Sequence, residues 1–270
     1  MPDAWMSQEL LVGGGLSLLA GLCTGIGAAV ALFVRRTDTK MLTFALGSSA
    51  GVMVYISFME LMPTAAEMLE GHAAAKWITI AAFFGGMLMA ALIDRLIPED
   101  ENPHEVHDLS EMDSIRKTGQ FAGNTQVRRS AFLFAAAIAI HNFPEGIATV
   151  AAAFDNMEIA ASVALAVAIH NIPEGIAVAV PLLYGTGQRG KAFRLAMLTG
   201  LAEPLGALVC MLLLMPFLSP VVLSILFAGV AGIMVYISFD ELLPMAERWG
   251  HHHISIYGVT AGMLIMALVL

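Results

Sequence analysis

Stretches of about twenty apolar residues recur from one end of this chain to the other, separated mostly by short turns and charges. About 20 helical residues cross the hydrocarbon of a bilayer, and inside lipid each backbone N–H and C=O must be satisfied without water. The pattern predicts an all-α integral membrane protein. The 270 residues are 58% hydrophobic and only 13% charged, with a mean hydropathy of +0.79, which leaves too little polar surface for a soluble domain. The first run, Leu10 to Val34, follows Asp3 and Glu9 rather than a cationic stretch and is longer than a cleaved signal core, so it reads as a retained first helix.

Apolar runs set against turns and charges predict eight transmembrane helices in one domain, near residues 10–34, 41–64, 77–97, 131–153, 159–183, 193–214, 221–246 and 254–270. Connections are short except for residues 98–130, which are polar, acidic and interrupted by Pro and Gly, and read as a mobile loop. The 13 Lys and Arg residues test the layout, because basic residues accumulate in cytoplasmic loops. Arg35, Arg36 and Lys40 follow helix 1; Arg95, Arg116, Lys117, Arg128 and Arg129 end or follow helix 3; Arg189, Lys191 and Arg194 follow helix 5; Arg248 follows helix 7. Only Lys76 lies opposite, so the 98–130 loop is expected in the cytoplasm and both termini outside it.

The segment Ala50-Gly-Val-Met-Val-Tyr-Ile-Ser-Phe-Met-Glu-Leu-Met-Pro63 reappears as Ala231-Gly-Ile-Met-Val-Tyr-Ile-Ser-Phe-Asp-Glu-Leu-Leu-Pro244, and Gly86-Met87-Leu88 recurs as Gly262-Met263-Leu264. Helices 1–3 and 6–8 therefore read as copies, inverted by the assigned orientation. Between them, His141-Asn-Phe-Pro-Glu-Gly-Ile-Ala148 is echoed by His170-Asn-Ile-Pro-Glu-Gly-Ile-Ala177 on the central pair, helices 4 and 5. The order is 3+2+3. Inverted repeats around interrupted helices are a common build for secondary transporters, with the substrate near the midplane.

Each short motif sets a His and a Glu four residues apart and an Asn about 60° from the Glu, so all three project from one helix face. His141 and Asn142 fall at the centre of helix 4, His170 and Asn171 at the centre of helix 5. Ionisable groups there cost at least ~2.5 kcal/mol each on insertion scales unless partnered or hydrated, and a bound cation is such a partner. Pro144 and Pro173 are expected to distort the helices and free the carbonyls of Ile140 and Ile169, while Gly146 and Gly175 allow close helix approach. Helix 6 adds Glu203, immediately before Pro204; aligning the repeats sets Leu22 opposite it in helix 1. Two imidazoles, two amides and three carboxylates exceed the four ligands of tetrahedral zinc, which predicts two adjacent metal positions with Glu145 and Glu174 shared. Structural His–Glu pairs within the membrane are the plainer alternative; the duplicated motif at matched depth argues against it.

Ser57 with Glu60 near the outer end of helix 2, and Ser238 with Asp240 and Glu241 near the inner end of helix 7, stand at opposite mouths and are candidates for entry and exit, or else solvated helix ends. In the long loop, His104, Glu105, His107, Asp108, Glu111 and Asp113 can hold metal loosely or form a solvated acidic linker. His251, His252 and His253 at the start of helix 8 are a further candidate, and His72 with Glu67 and Glu70 a weaker one. Cys23 and Cys210 lie in separate apolar runs and read as buried hydrophobes, and the 18 Met residues as packing rather than copper ligands.

The paired His-Asn-X-Pro-Glu-Gly motifs, with Tyr236-Ile-Ser-Phe-Asp-Glu-Leu-Leu-Pro244, resemble the ZIP (Zrt/Irt-like) metal transporters, especially the bacterial ZupT-like branch, over nearly the whole chain. The resemblance implies uptake of divalent metal into the cytosol across the bacterial inner membrane through a two-metal site. Carried over by motif position, the first metal takes His141, Glu145, His170 and Glu174. The second takes Asn142, Asn171 and Glu203, with Glu145 and Glu174 bridging. The His170-Asn171 pair is the form found in the broad-range branch, which leaves Fe2+, Mn2+, Co2+ and Cd2+ beside Zn2+.

The expected partners are divalent ions and lipid, not nucleic acid; a homodimer is compatible with all of this. No Gly-X-X-X-X-Gly-Lys-Ser/Thr phosphate loop is present, so no ATP site is expected. An intramembrane metallohydrolase would need an open coordination position, and the chain lacks His-Glu-X-X-His, so no enzyme is expected. The topology is checked by cysteine labelling in a background lacking Cys23 and Cys210: Asp113→Cys should react only with reagent on the cytoplasmic face, and His72→Cys only with reagent outside.

Overall fold

The computed structural model describes residues 8–33, 39–95, 125–247 and 250–270. Among them, eight helical rods follow one another: α1 (Gln8–Phe33), α2 (Thr39–Glu67), α3 (Ala75–Arg95), α4 (Thr125–Asp155), α5 (Met157–Thr186), α6 (Arg189–Phe217), α7 (Pro220–Glu247) and α8 (His252–Val269). All but α4 are long and apolar enough to cross a membrane. Most rods overrun the apolar stretches that announce them. Lipid selects apolar side chains only over its own thickness, whereas backbone hydrogen bonding carries the helix on into polar sequence. Thus α4 starts at Thr125, six residues into the segment expected to be loop.

Local chemistry sets the reversals. A single residue separates α4 from α5: Asn156 is extended at φ −151°, ψ 124°, and its side chain accepts a hydrogen bond from the Glu158 N–H at 2.8 Å. Gly187, left-handed at φ 67°, closes α5 by donating its N–H to the Leu183 carbonyl. Ser219 caps α7 by accepting from the Val222 N–H at 3.3 Å, with Pro220 in the first turn, where its missing N–H costs nothing.

Irregular winding falls outside the duplicated motif. Both α4 and α5 stay wound through Pro144 and Pro173. By contrast α2 and α7 widen into π-turns at Ser57–Leu61 and Ser238–Leu242, each just ahead of a proline, Pro63 or Pro244, that cannot donate to the preceding turn. The Ser57 and Ser238 hydroxyls each donate to the carbonyl four residues back, Met53 or Met234, at 2.7 Å. In α6 the winding breaks at Leu201, two residues before Glu203, and again over Cys210–Leu214.

The rods sort into two groups by contact. The first comprises α1, α4, α5 and α6; in the second, α2 lies along α8 and α3 along α7. Contact between the groups runs mainly between α2 and α5, with a smaller seam between α4 and α7. Small residues make these approaches close. A Cβ on Gly51 would run into the Val259 carbonyl, and one on Gly262 into the Ser48 carbonyl. The α3–α7 crossing repeats the arrangement, with Gly232 against the Phe83 carbonyl and Gly86 against that of Gly229. The numbering offsets between these crossings are those of the sequence repeats, so the copies pack crosswise, each α2-like helix on the α3-like helix of the other copy.

The middle of α5 is 72% buried, while the most apolar windows of α3 and α8 are each only 22% buried. Phe84, Leu88 and Leu92 on α3, and Leu264 and Leu268 on α8, face outward, apolar exteriors that suit lipid. The fold is that of a multi-pass membrane protein.

Because Gly51 is roofed by backbone and Gly85 faces open space, Gly51→Ala should destabilise the detergent-solubilised protein by about 1–3 kcal/mol, as overpacking does. Gly85→Ala should leave its thermal unfolding midpoint unchanged or slightly raised, as read by size-exclusion after heating.

Candidate metal centre

Halfway along α4 and α5 the two motif faces meet. His141, Asn142, Glu145, His170, Asn171, Glu174 and, from α6, Glu203 are all buried. Gly146 and Gly175 admit the neighbouring backbones: α6 comes in against Gly146 through the Glu203 carbonyl, and α1 against Gly175 through the Thr24 carbonyl. Larger residues there would hold α6, and with it Glu203, away from the pair.

Four side chains form the tighter half. His170 Nε2 lies 3.0 Å from Glu145 Oε1, and His141 Nε2 lies 3.2 Å from the same oxygen and 3.7 Å from Glu174 Oε1. Ligand atoms of His141, His170 and Glu174 all fall within 4.8 Å of one another, the one group of three or more metal-capable side chains among the described residues. His170 Nδ1 sits 3.1 Å from the Ala166 carbonyl. A carbonyl only accepts, so Nδ1 carries the proton and a neutral His170 turns its Nε2 lone pair toward the carboxylates. Lone pair facing carboxylate repels unless a proton or a metal ion lies between.

The other half is built from amides and one carboxylate. Asn171 Nδ2 donates to the Ala20 carbonyl at 2.9 Å and to Glu203 Oε2 at 2.6 Å, and Asn142 Nδ2 donates to the Thr199 carbonyl at 3.3 Å. Those acceptors settle the amide orientations, because only the NH2 end donates. Both Oδ1 atoms are buried without a hydrogen-bond partner, as are Glu145 Oε2, Glu203 Oε1 and both carboxylate oxygens of Glu174. Buried oxygens left unpaired cost roughly 1–3 kcal/mol each, more when charged. Mixed imidazole nitrogen and carboxylate oxygen is the donor chemistry of zinc and its transition-metal neighbours.

The outlying candidates divide. Glu241 is buried and interacts electrostatically with His141 as well as with Asp240 and Asp94, so α7 reaches the central cluster. Asp94, in the last turn of α3, was not singled out from sequence; the α3–α7 crossing brings it near Asp240 and Glu241. Glu60 is half-buried, with Glu67 as its electrostatic neighbour. The three histidines at the start of α8 do not gather on one point: His251 Nε2 meets Thr39 Oγ1 at 3.1 Å, His252 Nδ1 meets Glu247 at 2.7 Å, and the His253 ring stacks on Tyr257, with the His252 and His253 rings tilted 5.7 Å apart. His72, Glu67 and Glu70 are exposed, and His104, Glu105, His107, Asp108, Glu111 and Asp113 lie outside the described residues. Cys210 is buried and Cys23 partly so, both as free thiols. The contact register also corrects the partner expected for Glu203: the residue on α1 that matches it is Thr24, while Leu22 is 37% exposed.

A bundle of lipid-length helices enclosing a cluster of His, Asn and Glu side chains defines a multi-pass membrane protein with a buried cluster of metal-capable side chains. The profile of the ZIP zinc transporter family matches residues 98–270. The chain is 61% identical over 267 residues to a zinc transporter ZupT of Akkermansia muciniphila, covering 98% of each protein. It is 51% identical over 268 residues, again 98% of each, to that of Lysinibacillus sphaericus, and 49% identical over 268 residues, also 98% of each, to that of Streptococcus mutans. The chain belongs to the ZIP zinc transporter family.

Equilibrium zinc binding to the purified protein separates centre from periphery. His141→Ala or Glu174→Gln should weaken binding by roughly 100-fold or more, above what loss of a group that merely orients a ligand costs. Replacing His251, His252 and His253 together by Ala should leave the tightest site unchanged.

Proposed function

We propose that this protein carries divalent transition-metal ions, zinc foremost, across the bacterial inner membrane into the cytosol. The reading is carried by the convergence of His141, Glu145, His170 and Glu174 at the buried crossing of α4 and α5. Its relatives are zinc transporters by name, and the donor set suits Fe2+, Mn2+, Co2+ and Cd2+ as further substrates.

In this reading all eight rods cross the membrane as 3+2+3 with inverted outer repeats, α4 being the eighth crossing, and both termini lie outside the cytoplasm. Two ions bind side by side: one on His141, Glu145, His170 and Glu174, the other on Asn142, Asn171 and Glu203, with Glu145 and Glu174 bridging. An ion arrives past Glu60, exchanges water for these ligands, and departs past Asp240 and Glu241. The electrostatic link from Glu241 to His141 supports that exit. The packing supports a shift of the α1–α4–α5–α6 group against α2–α3–α7–α8, because glycine-dense crossings tie rods within each group. The driving force is the metal gradient, the membrane potential or cytosolic buffering.

Uptake into proteoliposomes tests this directly. Wild type should accumulate zinc, with iron, manganese and cadmium ranked behind it, and Glu145→Ala and His170→Ala should each reduce uptake to the protein-free background. A wild type that binds zinc but moves none would be a sensor rather than a carrier.

A further inference from the structure

The contacts of α1 with α5 recur, at constant numbering offsets, as contacts of α6 with α4. Asn171 donates to the Ala20 carbonyl, and Asn142 to that of Thr199. Gly27 abuts the Ile172 carbonyl, and Gly206 that of Phe143; Gly21 and Gly200 abut each other's carbonyls. The same correspondence pairs Thr24, whose carbonyl packs on Gly175, with Glu203, whose carbonyl packs on Gly146. Glu203 turns its carboxylate onto Asn171. The matching seat beside Asn142 belongs to Thr24.

Among the described residues the hydroxyls of Thr24, Ser17, Ser49, Ser224 and Ser255 are buried without a hydrogen-bond partner, and of these only Thr24 packs at the α1–α6 crossing opposite Gly200. It is fully buried, and its Oγ1 has no hydrogen-bond partner. Thr79, Thr149, Thr186 and Thr260 satisfy themselves on the carbonyl four residues back, while Thr199 uses that of Ala196 and Thr43 that of Ala246. For Thr24 the carbonyl four residues back is that of Ala20, already taken by Asn171. The side chain instead lies against Gly200, where an added Cβ would come within 2.8 Å of Oγ1, next to Thr199, whose carbonyl holds Asn142. Asn142 Oδ1 is also without a partner. Thr24 Oγ1 and Asn142 Oδ1 are thus two unpaired buried oxygens on side chains that meet neighbouring residues of α6, Gly200 and Thr199, each a cost of roughly 1–3 kcal/mol unless a cation or bridging water uses it.

We propose that Thr24 supplies an oxygen to the second metal position from α1, in the seat that Glu203 holds from α6, and that it is a specificity-determining residue for harder, oxygen-preferring ions such as Mn2+ and Fe2+. The inference rests on the two-ion reading above. With Thr24 the second position gathers a hydroxyl, two amide oxygens and the Glu203 carboxylate beside the bridging Glu145 and Glu174, an all-oxygen and therefore harder set than the imidazole-bearing first position. Oxygen-rich sites favour manganese over zinc in relative terms, and a neutral hydroxyl binds less tightly than a second carboxylate, so the ion can leave.

The test compares wild type, Thr24→Val and Thr24→Ser by equilibrium dialysis of Zn2+ and Mn2+ on the purified protein, and by uptake of each metal into proteoliposomes. Thr24→Val, nearly isosteric, should keep the first zinc at wild-type affinity and bind the second ion, read with Mn2+, about tenfold more weakly, the scale of one lost oxygen contact. Manganese uptake should fall several-fold more than zinc uptake, and Thr24→Ser should behave as wild type. Retained first-site binding reports folding; if Thr24→Val does not purify, Thr24→Ser against Thr24→Ala carries the same comparison. Equal second-ion affinity in wild type and Thr24→Val overturns the proposal, as does equal loss at both positions, which would mark a structural role. A wild type that binds a single ion per chain, or uptake that survives Glu145→Ala, brings down the two-ion reading itself and Thr24 with it.

Discussion

Everything central in this molecule follows from burying three carboxylates and two imidazoles between apolar helices. Glu145, Glu174 and Glu203 sit where water is scarce, and a carboxylate so placed must be neutralised, hydrogen-bonded or bound to a cation. The structure supplies only part of that compensation. His141 and His170 stand at 3.0–3.7 Å from the two motif carboxylates, Asn171 donates to Glu203, and the remaining oxygens face inward unpaired. A core built only for stability would have completed these bonds, since half-satisfied polar networks are worse than apolar packing. In the proposed function, a bound divalent ion offsets that incompleteness.

The surrounding helices serve the same requirement. Holding seven side chains from three helices at one place needs backbones closer than ordinary side chains permit, so glycines occupy the crossings at Gly146, Gly175 and Gly206. The freed space brings α1 and α6 near enough for their own carbonyls, Ala20 and Thr199, to grip the two asparagine amides. That grip turns each Asn oxygen away from the backbone. Main chain of the outer helices therefore orients side chains of the inner pair, and Leu201, where α6 breaks, lies between Thr199 and Glu203.

Duplication leaves a nearly symmetric frame in which chemistry has become unequal. Glu203 faces Thr24 across it, a carboxylate against a hydroxyl. Glu241 is buried and felt by His141, while its counterpart Glu60 is half-buried beside Glu67. Such differences make the two mouths bind an ion unequally, while the net direction of the proposed route from Glu60 to Glu241 is set by the driving force.

The sequence by itself determined the membrane class, the central helix pair and the ligand faces, because hydropathy over about 20 residues and the 3.6-residue period are local properties. The repeated His-Asn-X-Pro-Glu-Gly words were legible for the same reason: four residues bring His141 over Glu145 in any helix. The tertiary structure decided what depends on residues far apart in the chain. Only packing showed that α2 pairs with α8 and α3 with α7, that Asp94 joins Glu241, and that His251, His252 and His253 turn to three different partners. It also replaced Leu22 by Thr24 as the counterpart of Glu203, since weak sequence similarity between α1 and α6 leaves their register open, whereas a glycine pressed against a carbonyl admits only one.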